Sequence, residues 1–139
     1  MKRKLNCILL IDDDEPTNFL NRMVIEEVDC SERIETMQSA REALKYLTNT
    51  NPDGAYPRPD LVFLDINMPA MDGWEFLEKY NQLSDDQKAK IIVVMLTTSF
   101  NPEDELKARN MSGISGFRNK PLTPEILMQI LHKHFPDKF

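Results

Sequence analysis

A chain of 139 residues with 41% hydrophobic and 29% charged residues has the size and composition of one globular domain. Its net charge of −6 argues against general binding to nucleic-acid backbones, which needs a basic face, and leaves a protein partner or a bound cation open. No apolar stretch approaches a membrane span. The run at residues 7–11, after the basic start, is too short for a secretory signal and ends in acids, so a cytoplasmic protein is expected. Two cysteines, Cys7 and Cys30, make no disulfide framework and are expected to be free thiols.

Short apolar runs alternate with segments of helical period, the pattern of a parallel sheet built from βα units. The first strand is predicted at residues 6–11. A helix over residues 15–28 follows, with Asp14 as its cap, Pro16 in its first turn and a stripe of Phe19, Leu20, Met23, Val24 and Val28. The second strand is predicted at 33–37. Ser39 with Glu42 then makes a capping box for a helix whose stripe is Ala40, Ala43, Leu44 and Leu47. Residues 48–59 hold three prolines and a glycine and read as a solvent loop. The third strand, 61–64, leads to a helix capped by Asp72 with Glu75, burying Phe76, Leu77 and Tyr80. A fourth strand at 91–96 precedes a helix opened by Asn101 and Pro102 with acids in its first turn. The fifth strand, 116–118, precedes a helix opened by Thr123 and Pro124, with Ile126, Leu127, Ile130 and Leu131 as its stripe. These five βα repeats use the whole chain, and a single domain without an output segment is expected.

The chemistry gathers at the strand ends. In a doubly wound sheet, ligands bind outside the carboxyl ends of the strands. Asp12 and Asp13 follow the first strand, Asp65 the third, Thr97 and Thr98 the fourth, and Lys120 the fifth. Taken singly each has a plain reading as a cap, a turn or a surface residue; their joint placement is what carries meaning. Three carboxylates at one point repel unless a cation is bound, and oxygen-only ligands favour a hard ion such as Mg²⁺. Three carboxylates, one Mg²⁺ and Lys120 come near neutrality. Such a cluster can bind a transferable phosphoryl group and hold it on a carboxylate nucleophile.

Four blocks in order resemble the receiver domain of two-component response regulators: Ile8-Leu9-Leu10-Ile11-Asp12-Asp13; Asp65-Ile66-Asn67-Met68-Pro69 with Met71-Asp72-Gly73; Met95-Leu96-Thr97; and Gly116-Phe117-Arg118-Asn119-Lys120-Pro121. Leu96-Thr97-Thr98-Ser99, with Asn101 and Glu103-Asp104, is further similar to single-domain regulators of the phytochrome-associated type. The resemblance implies a flavodoxin-like α/β fold, a five-stranded parallel sheet of order 2-1-3-4-5 with five helices. It implies Asp65 as phosphoacceptor, taking a phosphoryl group from a histidine of a sensor kinase or phosphotransfer protein. Asp13, Asp65 and the Asn67 carbonyl would bind Mg²⁺ directly and Asp12 through water. Thr97 and Lys120 would hold phosphoryl oxygens, with a cis bond between Lys120 and Pro121. Phe117 would be the aromatic switch, coupled to Thr97, and Ser99 and Asn67 would tune phosphate lifetime. The output would be contact with a downstream protein or a second copy, without direct contact to nucleic acid or membrane.

A Mg²⁺-dependent phosphohydrolase with an aspartyl nucleophile is the enzymatic rival, but it usually needs an acid where Asn67 stands. A degenerate receiver would have lost an acid, Thr97 or Lys120, and all are present. His132 and His134 lie two apart on the last helix, on different faces, and are not expected to bind metal. Trp74 is expected to be half exposed in a packing role, and the eight methionines to fill the core.

Overall fold

The computed structural model describes residues 4–88, 91–98 and 101–139. Five strands, β1 (Leu5–Ile11), β2 (Ser31–Met37), β3 (Leu61–Leu64), β4 (Ile92–Thr97) and β5 (Gly116–Asn119), form one parallel sheet in the order β2-β1-β3-β4-β5. Every pairing is parallel. The long helices are α1 (Glu15–Val28), α2 (Ala40–Thr48), α3 (Gly73–Asn81), α5 (Pro102–Asn110) and α6 (Pro124–His134). A sixth, α4 (Asp85–Lys88), is a single turn that the expected five did not include. It buries no residue and so leaves no apolar period in the sequence. Local bonds hold it: Gln87 N–H and Lys88 N–H donate to the Ser84 carbonyl, and Ser84 N–H donates to Gln87 Oε1.

Side chains alternate across the central strands and build two cores. Leu9, Ile11, Val62, Leu64, Val93 and Met95 face α2, α3 and α5. Ile8, Leu10, Leu61, Phe63, Val94 and Leu96 face α1 and α6. Strand order reverses between β1 and β3: β2 lies to one side of β1, and β3, β4 and β5 follow on the other. The crevice at that reversal is where Asp12 and Asp65 stand.

The expected cap residues are all in place, but the capping box expected at Ser39 is not closed, since Glu42 Oε1 accepts from Gln38 N–H instead of Ser39 N–H. Asp14, Ser39, Asp72, Asn101 and Thr123 each accept a backbone N–H from the first turn of their helix, and Asp72 with Glu75 forms a full capping box. Residues 49–60 hold no helix or strand. The end of this loop is nevertheless tied to the sheet, since Asp60 Oδ2 accepts from Asn6 N–H at 2.6 Å and Ile92 N–H donates to the Asp60 carbonyl. Cys7 and Cys30 are free and buried, and burial pushes the Cys30 thiol up to about 11, which leaves it protonated and unreactive at neutral pH.

One expectation is overturned at α1. Three of the five stripe residues do not face the core: Phe19 is 62%, Leu20 60% and Met23 50% exposed. The buried line is instead Asn18, Asn21 and Ile25, with Val24 and Val28 partly covered. The reason lies at the sheet end, where Asn18 Nδ2 donates to the carbonyls of Asp12 (2.9 Å) and Met37 (3.4 Å). The Asp12 carbonyl needs a donor that no apolar side chain supplies, so the first turns of α1 present the Asn18 amide there. Trp74 is likewise buried, 8% exposed instead of half exposed, with Lys107 Nζ 4.7 Å from its ring.

Candidate functional site

β1 and β3 end side by side. Ile11 pairs with Leu64, and beyond them Asp65 N–H donates to the Ile11 carbonyl while Asp12 N–H donates to the Met37 carbonyl. Asp12 and Asp65 are thus the first residues past paired backbone, fixed in place yet at the crevice. Both are buried, at 4% and 6% exposure, while Asp13 is exposed. One carboxylate oxygen from each of Asp12, Asp13 and Asp65 lies within 4.8 Å of the others. Octahedral Mg²⁺ holds its oxygens at roughly 2.1 Å, which places them about 3–4 Å apart. A small contraction would bring the Asp13 and Asp65 oxygens onto one ion with Asp12 close enough to hold a water on it, so the donor set fits.

Lys120 enters from the loop after β5. Its Nζ lies 2.5 Å from Asp12 Oδ2 and 3.5 Å from Asp65 Oδ1, and its N–H donates to the Thr97 carbonyl at 2.7 Å. The Lys120-Pro121 bond is cis. Asp12 also accepts from Asp14 N–H at 2.9 Å, while Asp14 itself caps α1. Burial pushes the Asp65 carboxyl up to about 6; Asp12 and then Asp13 add to the shift, and Lys120 opposes it. An ion at the cluster would relieve that repulsion.

Thr97 is fully buried at the end of β4 and pairs with Asn119. Phe117, opposite Met95, is partly buried against the core shared with α3 and α5. Asn67 is exposed in the β3–α3 loop. Ser99 lies outside the described residues. His132 is exposed and His134 partly buried, and neither belongs to a metal-competent cluster among the described residues.

Two features of the β3–α3 loop went unread in the sequence. Gly73 opens α3 against the loop: its N–H donates to the Ile66 carbonyl, and an added Cβ would sit 2.5 Å from the Asp65 carbonyl oxygen. Gly73→Ala is therefore expected to cost about 1–3 kcal/mol in urea unfolding and to weaken Mg²⁺ binding, because the Asp65 backbone must shift; unchanged values for both would contradict this close approach. Ala70 holds φ 67, a left-handed conformation costly for any residue with a Cβ. Ala70→Gly is expected to raise stability by about 0.5–1 kcal/mol, the relieved strain exceeding the added chain entropy. A lowered urea midpoint would show the conformation to be unstrained.

Residues 8–132 match the model of the response regulator receiver domain. The chain belongs to that family. A two-component response regulator from Cytophaga hutchinsonii superposes on this receiver with a TM-score of 0.86 at 34% identity, covering 96% of this chain and 99% of that one. The bacteriophytochrome response regulator AtBRR does so at 0.78 and 26%, covering 99% and 96%. A probable transcriptional regulator, ycf29 of Porphyra purpurea, is 42% identical over 72 residues; the match takes in 52% of this receiver and only 33% of that protein. No helix among the described residues is long and apolar enough to cross a membrane.

Proposed function

We propose that this receiver accepts a phosphoryl group on Asp65 in a Mg²⁺-dependent step and passes the signal on through protein contact. The observation that carries the reading is the buried Asp65 carboxylate beside Asp12, Asp13 and Lys120 at the reversal of the sheet. Asp13, Asp65 and the Asn67 carbonyl would hold Mg²⁺, with Asp12 acting through water. The ion would neutralise the attacking carboxylate and the incoming phosphoryl oxygens. Asp65 attacks the phosphorus, and the bond from phosphorus to the donor nitrogen breaks. Lys120 and Thr97 then hold two of the transferred oxygens.

The donor would be a histidine of a sensor kinase or phosphotransfer protein. A groove of about 1020 Å³ runs from Leu20, Met23 and Val24 of α1 to Thr98, Lys120 and Pro121. It brings an apolar docking strip up to the reactive end, which supports a helix of that donor lying there. On the output side, Thr97 moving toward phosphate would let Phe117 turn inward and reshape the face made by α5, β5 and α6, for a downstream protein or a second copy. The likeness to the bacteriophytochrome response regulator AtBRR supports a phytochrome-associated regulator, which would catalyse only its own phosphorylation and dephosphorylation.

The test is incubation with Mg²⁺ and a small phosphodonor, followed by intact mass and base treatment. One base-labile phosphoryl group per chain, absent in Asp65→Asn and without Mg²⁺, is the expected result. No mass gain, or an equal gain in the variant, would sink the assignment. Turnover of many equivalents would favour a phosphohydrolase.

A further inference from the structure

Beneath the acid cluster lies a cavity of about 10 Å³, lined by Asp12, Asn18, Asn21 and Asp65 with Phe63 and Leu96 among its apolar walls. It shares Asp12 and Asp65 with the acid cluster, while Asp13 and Lys120 do not line it. Asn18 is 4% exposed, and its Oδ1 is the buried side-chain atom without a hydrogen-bond partner among the described residues. The orientation of this amide is set by its other end. Nδ2 faces the carbonyls of Asp12 and Met37, and a flipped amide would point oxygen at two oxygens. A buried acceptor facing a polar cavity calls for a donor. Carboxylates at neutral pH offer none, and the room is at the lower limit for one water.

We propose that Asn18 positions the acid cluster from beneath, holding Asp12 through Nδ2 and one buried water through Oδ1. The water donates one hydrogen to Asn18 Oδ1 and the other to a carboxylate of the cluster, with Asn21 as a further polar neighbour. Asn18 touches neither phosphoryl group nor ion. It acts on the distance between Asp12 and Asp65, and so on the affinity of the cluster for a cation; this second clause rests on the Mg²⁺ reading above.

The first measurement needs no variant and no metal: a high-resolution crystal structure of the metal-free protein. An ordered water within hydrogen-bond distance of Asn18 Oδ1 is expected, and a dry cavity overturns the inference. The second is calorimetric titration of Mg²⁺ alone into the parent protein and Asn18→Leu, a swap of similar volume without either polar group. About tenfold weaker binding is expected, the scale at which groups behind metal ligands act, with unfolding still cooperative. Equal affinity in a folded variant overturns the positioning role even if the water is present. If the parent itself binds no Mg²⁺, the phosphoacceptor reading fails, and the crystallographic water alone decides the inference.

Discussion

Lys120→Met is expected to bind Mg²⁺ more tightly than the parent while accepting phosphate on the order of 100-fold more slowly. The two effects have opposite signs because, under the proposed function, Lys120 would do two things with one charge. Before phosphorylation its Nζ, 2.5 Å from Asp12 and 3.5 Å from Asp65, competes with a cation for the same oxygens, so removing it frees the ligands. In the transfer step it would face charge growing on the phosphoryl oxygens, and losing one such fixed group costs about 10²–10³ in rate. The side chains are 13%, 5% and 7% exposed, so stripping the ammonium leaves two buried carboxylates unpaired. Without metal the variant should lose roughly 3 kcal/mol of stability, and Mg²⁺ should restore much of it. Calorimetry, a phosphodonor time course and urea unfolding with and without Mg²⁺ read the three effects. Weaker Mg²⁺ binding in the variant would show that Lys120 does not compete for the site.

Asp65→Asn should make the metal-free protein more stable at pH 7.5. The Asp65 carboxyl is pushed from 3.8 up to about 6 by burial and by Asp12. A carboxyl raised on folding binds its proton more tightly folded than unfolded, so its favourable contribution is complete below pH 3.8 and is lost as pH rises through 6. Above pH 6 the buried charge weighs against the fold by roughly 3 kcal/mol. Asn removes that charge, so the variant gains up to this amount at pH 7.5 and progressively less as pH falls from 6 toward 4. Mg²⁺ should narrow the gap, since it stabilises the carboxylate form through binding. Urea unfolding at several pH values measures this, and a variant less stable than the parent at pH 7.5 would contradict it. The proposed phosphoacceptor role would hold function against stability at this residue.

Much of the acid cluster was legible in the sequence because its signals are local. An apolar run that stops at an acid places that acid at a strand end, and parallel strands bring their carboxyl ends to one edge. Asp12, Asp13, Asp65, Thr97 and Lys120 could therefore be grouped from order alone, although their distances and the burial of Asp12 beside an exposed Asp13 could not. Capping residues were equally readable, because each answers to N–H groups two or three residues away.

The first helix shows where that reasoning stops. Periodicity states which residues share a face, but not which face meets the sheet. Two lines of residues compete on α1, and the choice falls to the one carrying Asn18, Asn21 and Ile25, because the Asp12 carbonyl just past β1 needs the Asn18 amide as donor. Trp74 beneath Lys107, the Cβ space missing at Gly73 and the cavity under Asp65 are of the same kind. Each is a contact between segments distant in the chain or a void left by their packing.

The sequence by itself determined the order of elements, their caps and the set of acids at the strand ends, since these depend on neighbours within a turn or on strand period. The tertiary structure alone decided how those acids are spaced, what lies beneath them and which side of α1 is left apolar and bare beside Lys120. Those outcomes depend on competition among distant groups for the same buried volume and the same hydrogen bonds.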